Sequence, residues 1–265
     1  MKTKMTTSEF AGLHEVNKRT LHYYDSIGLF SPKEKGNNGY RYYDAAQSMD
    51  FEYLRMLKAL NMSIEEILQY AENPNTKDFL SIADKKLKEI NEEIFRLERT
   101  RQILETKKEQ AEICQNLTSD HITVIECPEE KYLTIPFSFE EDDMSLVFSS
   151  AKNAWGIEQC RMGIGSFLSL DKIKKEDFRI YDGLFTPAMN HAPSDHLHIK
   201  PAGKYLCGYQ RGTWEKLPGL YRKMLSYASC HHLTLTGYAY EMGMNGFIIS
   251  HKNDYITRIV MSILP

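Results

Sequence analysis

The sequence predicts a multidomain chain of mixed α and α+β class, on three observations. Residues 16–43 join a helical run, VNKRTLHYYDSIGLF, to a turn and an extended run, NGYRYYD, and both runs mix cations with tyrosines. Residues 78–117 place apolar side chains at alternating steps of three and four among charged ones. Residues 120–265 alternate strand-like and helix-like runs with Gly and Pro breaks. The expected organisation is a winged helix-turn-helix over residues 1–75, a coiled-coil helix over 76–118 and an α+β domain over 119–265.

Composition bounds the function. The chain has 265 residues, 42% of them hydrophobic, enough for at least one sizeable core. The formal net charge of −3 excludes a polycation that binds nucleic acid by bulk charge. Residues 1–60 carry nine Lys/Arg against seven Asp/Glu, a balance of +2, so nucleic-acid binding must rest on where the charges sit. No apolar run approaches the roughly 20 residues that span a bilayer. The opening MKTKMTTSEF lacks the apolar stretch of a signal peptide. Cys114, Cys127, Cys160, Cys207 and Cys230 are scattered without a C-x-x-C pair, the pattern expected of reduced thiols in cytoplasm.

The first segment reads element by element. Thr6-x-x-Glu9 is a capping box opening a helix with Phe10, Ala11 and Leu13 inward. After a break at His14–Val16, Asn17 caps a second helix that Gly28 ends. Leu21 and Tyr24 fall at core spacing on it, while Lys18, Arg19 and His22 point outward with Tyr23 near them. Two short helices with a tight break form a helix-turn-helix. Gly36-Asn37-Asn38-Gly39 is a turn signal, and Tyr40–Tyr43 reads as the return strand of a wing, with Tyr43 in the core. Asp44 is expected to cap a third helix with Met49, Tyr53, Met56, Leu57 and Leu60 along an apolar stripe. Ser63-x-x-Glu66 opens a fourth helix carrying Ile64, Ile67 and Leu68, and Asn73-Pro74 stops it.

Leu80, Ala83, Leu87, Ile90, Ile94, Leu97, Leu104 and Ala111 form a heptad seam, with Arg101 and Lys108 at its remaining positions. At about 1.5 Å per residue the helix is roughly 60 Å long. So narrow a seam favours a homodimer through residues 79–117, the alternative being packing on the chain's own C-terminal domain. Beyond it, strands are expected at His121–Ile125, Lys131–Phe139, Gly163–Leu170, Gly203–Gln210, Leu233–Met242 and Tyr255–Ile263. Helices are expected near Ser145–Cys160 and Leu217–His231.

SEFAGLHEVNKRTLHYYDSIGLFSP, NGYRYYD and LRMLKALNMSIEEI together resemble the MerR family of bacterial transcription regulators over residues 5–72. The resemblance implies a winged helix-turn-helix and a dimerisation coiled coil. It also implies binding to palindromic promoters that are bent and untwisted to realign them for RNA polymerase. It assigns DNA contact to Lys18, Arg19, His22, Tyr23 and Tyr24 on the helix and to Arg41 and Tyr42 on the wing. Two departures stand out: His22 lies where many members have Arg, and Glu15 where a turn glycine is common.

Residues Leu184–Ala188, Pro201–Tyr205, Tyr240-Glu241 and the terminal Tyr255–Ile263 run more loosely resemble the GyrI-like effector-binding domain of multidrug-sensing, BmrR-type members. That resemblance implies a lipophilic, cationic ligand held by Glu241 among Trp155, Phe167, Tyr181, Tyr205, Tyr240 and Tyr255, with no cofactor and no catalytic or metal residues. A carboxylate offsets the charge, and aromatic faces add apolar area and cation–π attraction. The other reading is an exposed Glu241 beside aromatics that fill a core. Strand alternation also sends Tyr240 and Glu241 to opposite faces unless a bulge intervenes.

Two rival functions stand beside this one. A metal or redox sensor would use Cys114 and Cys127 with His121, although these lack the close, matched spacing of a thiolate site. A GyrI-like hydrolase would use Glu241 as a base, but no partner for it is evident, and His191, His196 and His198 read as a solvated loop.

Overall fold

The computed structural model describes residues 4–37, 39–117, 121–138, 144–178, 180–190 and 197–265. Asn38, Phe139, His191 and His196 of the sequence expectations lie outside them. The chain divides into two compact units, Met1–Phe95 and Arg96–Pro265.

In the first unit the Thr6 hydroxyl accepts from the Glu9 N–H and the Glu9 carboxylate accepts from the Thr6 N–H, which opens α1 (Thr7–Leu13) by the expected box. The Asn17 side chain accepts from the Arg19 N–H at the start of α2 (Lys18–Ser26). Between the helices Glu15 takes φ of 52°, a left-handed conformation that strains an L side chain. This is the turn position at which the resemblance expects glycine. Strand β1 (Lys4–Thr6) was not anticipated. It pairs with β3 (Arg41–Asp44), which also pairs with β2 (Glu34–Lys35), so the small sheet runs β1-β3-β2. Helices α3 (Gln47–Ala59) and α4 (Ile64–Glu72) complete the unit around Phe10, Leu21, Phe30, Tyr43, Phe51 and Ile67.

Three local expectations are corrected. Asp44 does not cap α3: its carboxylate accepts from the Ala46 N–H at 3.0 Å, a tight turn that delays the helix to Gln47. The stripe that α3 buries is Phe51, Leu54 and Leu57, whereas Met49, Tyr53 and Met56 are exposed. Both sets satisfy helical spacing, and tertiary packing chose between them. Leu13 is also exposed rather than inward.

Helix α5 (Thr76–Asn116) is 41 residues long, as the heptad pattern predicts. Its seam residues Leu80, Leu87, Ile90, Ile94, Leu97 and Leu104 are 40–65% exposed on the single chain.

The second unit is built on an antiparallel sheet of β4 (Ile122–Cys127), β5 (Glu130–Pro136), β6 (Gly165–Ser169), β7 (Gly183–Pro187), β8 (Leu197–Lys200), β9 (Gly203–Arg211), β10 (Leu235–Gly243) and β11 (Ile256–Ile263). Its order is β4-β9-β11-β10-β6-β7-β5-β8. Strands β7 and β8 and helix α7 (Leu170–Lys174) were not foreseen. Helix α8 (Leu217–Cys230) packs Leu220, Tyr221 and Met224 into a core with Leu168, Leu206 and Ile259. Helix α6 (Met144–Cys160) is broken at Gly156, whose φ of 80° and ψ of 160° suit glycine. A second cluster gathers Tyr132, Tyr205, Cys207, Tyr240 and Val260 with Cys114. By alternation along β9, β10 and β11 it lies on the opposite face of the sheet. The observed class is thus a winged helix-turn-helix, a long helix and an α+β domain.

Candidate functional site

In the first unit, α2 exposes Lys18, Arg19, His22 and Tyr23, while Tyr24 is half-buried against the core. Tyr42 lies under the Lys4 ammonium at 4.4 Å from its ring centroid. Arg41 Nε donates to Asp25 Oδ2 at 2.7 Å, and Lys35 Nζ lies 3.1 Å from the same oxygen. The Asp25 side chain is only 2% exposed. Burial raises its carboxyl, but hydrogen bonds from Arg41, Lys35 and Ser31 outweigh that and hold it below the usual range. An ion pair therefore ties the wing to the end of α2. Sequence reasoning missed Asp25, although it is the one acid in the cationic run of α2. Tyr43 is fully buried, and burial foremost pushes its phenol up to about 12.

The second unit contains a cleft with a cavity volume of about 130 Å³. Glu241 on β10 lines it and is 5% exposed. Three hydroxyls donate to its carboxylate: Tyr221 to Oε1 at 2.6 Å, Tyr181 to Oε2 at 3.0 Å and Ser166 to Oε2 at 3.4 Å. Buried carboxylates require such donors. Burial first, and then the Glu241 charge, pushes the Tyr221 phenol far above its ordinary value. Trp214 and Tyr255 form an edge-to-face wall, with centroids 6.0 Å apart at 82°. Gly243 makes room for that wall, because a Cβ built there would fall 1.7 Å from the Tyr255 hydroxyl. Val147 and Phe148 of α6 close another side, and Thr257 of β11 lies on the sheet face.

Of the aromatics expected around Glu241, Tyr181 and Tyr255 line this cleft. Phe167, Tyr205 and Tyr240 do not, and belong to the cluster on the other face. The reason is register. From Ala239 to Gly243 strand β10 pairs without a bulge, so Tyr240 sits opposite Phe167 while Glu241 sits opposite Ser166. The Tyr240 hydroxyl and His198 Nε2 are 2.8 Å apart, and the Tyr205 hydroxyl donates to the Pro201 carbonyl. Trp155 packs on the helical core without lining the cleft. Sequence reasoning missed Ser166, Trp214, Tyr221 and Thr257. Period-two alternation down from Ile259, the β11 partner of Glu241, would have found Thr257.

Cys114 is buried, and burial raises its thiol. Among the described residues no group of three or more His, Cys, Asp and Glu is placed to hold a metal ion. No helix among them is long and apolar enough to cross a membrane.

Residues 5–73 match the MerR HTH family regulatory protein domain. The HTH-type transcriptional regulator HmrR of Rhizobium leguminosarum bv. viciae is 38% identical over 103 residues, which cover 37% of this chain and 77% of HmrR. The chain belongs to the MerR family. As a MerR-family member it is a DNA-binding transcription regulator. The multidrug-efflux transporter 2 regulator of Bacillus subtilis (strain 168) is similar along nearly the whole length, at 27% identity over 261 residues, 96% of this chain and 95% of that one. The solved EcmrR–DNA complex aligns over 98% of this chain and 99% of its own at 20% identity and a TM-score of 0.44.

Proposed function

We propose that this MerR-family chain is a cytoplasmic, ligand-responsive activator working as a homodimer. Residues 79–117 pair two copies, and the winged helix-turn-helix of residues 1–75 grips each half of a palindromic promoter. Lys18, Arg19, His22, Tyr23, Tyr24, Arg41 and Tyr42 supply contacts to phosphate and base edges. The dimer distorts the duplex for RNA polymerase when a lipophilic cation occupies the GyrI-like domain of residues 119–265. Differential affinity of that ligand for two states of the dimer drives the switch.

The observation that carries this reading is Glu241, a carboxylate 5% exposed in an aromatic-walled cleft. The Tyr221, Tyr181 and Ser166 hydroxyls hold this carboxylate in the cleft, where its charge attracts a cation that enters. Trp214 and Tyr255 add cation–π contact of about 0.5–2 kcal/mol each. Similarity over 96% of the chain to a protein named as a multidrug-efflux transporter regulator supports a drug-responsive role.

Titration of the full chain with a fluorescent lipophilic cation, with and without Glu241→Gln, tests the reading. The substitution should weaken the dye about tenfold or more and leave promoter affinity unchanged. Equal dye affinity in the two proteins would refute it.

A further inference from the structure

Thr257 is 97% buried (3% exposed), and its Oγ1 has no hydrogen-bond partner among the described residues. Buried hydroxyls are ordinarily paired, so this one marks a place where something else completes the bond. It lines the same cleft as Glu241. The pairing of β10 with β11 sets Glu241 against Ile259 and Gly243 against Thr257. Thr257 is therefore a diagonal neighbour of Glu241 on one face of the sheet, with backbones about 7–8 Å apart. Gly243, opposite Thr257, carries no side chain, and the Tyr255 hydroxyl fills the place a Cβ would take. The cleft lining thus holds two unlike polar points: a carboxylate that accepts from the Tyr221, Tyr181 and Ser166 hydroxyls, and a buried hydroxyl without a partner among the described residues, which can donate or accept once a ligand displaces its neighbours.

We infer that Thr257 is a specificity-determining residue that selects, among lipophilic cations, those carrying a hydrogen-bonding nitrogen or oxygen about 5–8 Å from the charged centre. This rests on the reading of the cleft as a cation site. A cation without such an atom is held by Glu241 and the aromatic wall alone.

Two planar cations of matched shape test it on the full-length chain by fluorescence titration. 3,6-Diamino-10-methylacridinium carries amino groups, and 10-methylacridinium carries none. Thr257→Val, which keeps the volume, should weaken the diamino dye about tenfold and leave 10-methylacridinium within about twofold. Thr257→Ser should restore the diamino dye. No loss with Thr257→Val, or an equal loss for both dyes, overturns the assignment, since a structural hydroxyl or one satisfied by water does not discriminate. Glu241→Gln should weaken both dyes. If it weakens neither, or if the unaltered protein binds neither, the cation reading itself fails and this inference falls with it. If Glu241→Gln acts and Thr257→Val does not, only Thr257 is misassigned.

Discussion

The Tyr221 hydroxyl lies 2.6 Å from Glu241 Oε1, and its ring stacks on Phe178 with centroids 5.2 Å apart. The donor can therefore be removed without disturbing the stack. Tyr221→Phe leaves a buried carboxylate short of one hydrogen bond, and should lower stability by about 1–3 kcal/mol. Urea unfolding followed by Trp fluorescence measures it. An unchanged midpoint would mean that the contact contributes nothing net.

Asp25 joins α2 to the wing through Arg41 at 2.7 Å. Its carboxyl is depressed, so the unfolded chain takes up the proton first as pH falls. The ion pair therefore stabilises fully above the ordinary Asp range and is lost as pH drops through the folded value. Asp25→Asn should destabilise the first unit by about 1–3 kcal/mol at neutral pH and converge with the parent protein in acid. Denaturation curves at several pH values decide it, and a constant difference down to strong acid would contradict it.

Glu66 follows the same sign more steeply. A hydrogen bond from Lys85 foremost, and then the Ser63 N–H, hold its carboxyl down to about 2. Its contribution should be complete above about 4.5 and vanish toward about 2. Comparing Glu66→Gln with the parent across that window should show the gap closing as acid is added.

Glu15 sits at φ of 52° in the turn between α1 and α2. Glycine adopts that conformation without the Cβ clash, so Glu15→Gly should stabilise the chain by about 0.5–1 kcal/mol. A lower melting temperature would show that the Glu15 side chain makes a compensating contact.

Leu87 and Ile94 are 57% and 48% exposed on the single helix α5. If the seam joins two copies, Leu87→Lys with Ile94→Lys should yield monomers by sedimentation and abolish binding to a palindrome while sparing helicity. Dimers that persist in the double variant would move the interface elsewhere.

Much of the fold was legible because its signals are local. The boxes at Thr6/Glu9 and Ser63/Glu66 formed as the spacing predicts. The heptad run became one helix of 41 residues. What misled was degeneracy: α3 carries two apolar stripes at helical spacing, and only packing on Phe10 and Phe30 selects Phe51. In the cleft, alternation already separated Tyr240 from Glu241, and the register bears out that separation. The hydroxyls that serve Glu241 come from α8, β6 and the segment before β7, which no local pattern brings together. Strands β7 and β8 are short, at five and four residues, and offered too little alternation to read.

One hydrogen atom sets the outline of the cleft beside Glu241. At Gly243 even a methyl group would collide with the Tyr255 hydroxyl. A related chain with any larger residue there must seat its tyrosine elsewhere, and so accept differently shaped compounds, even if every acid and aromatic is retained. If this cleft is the proposed ligand site, sorting relatives by this single position should group them by the compounds they bind.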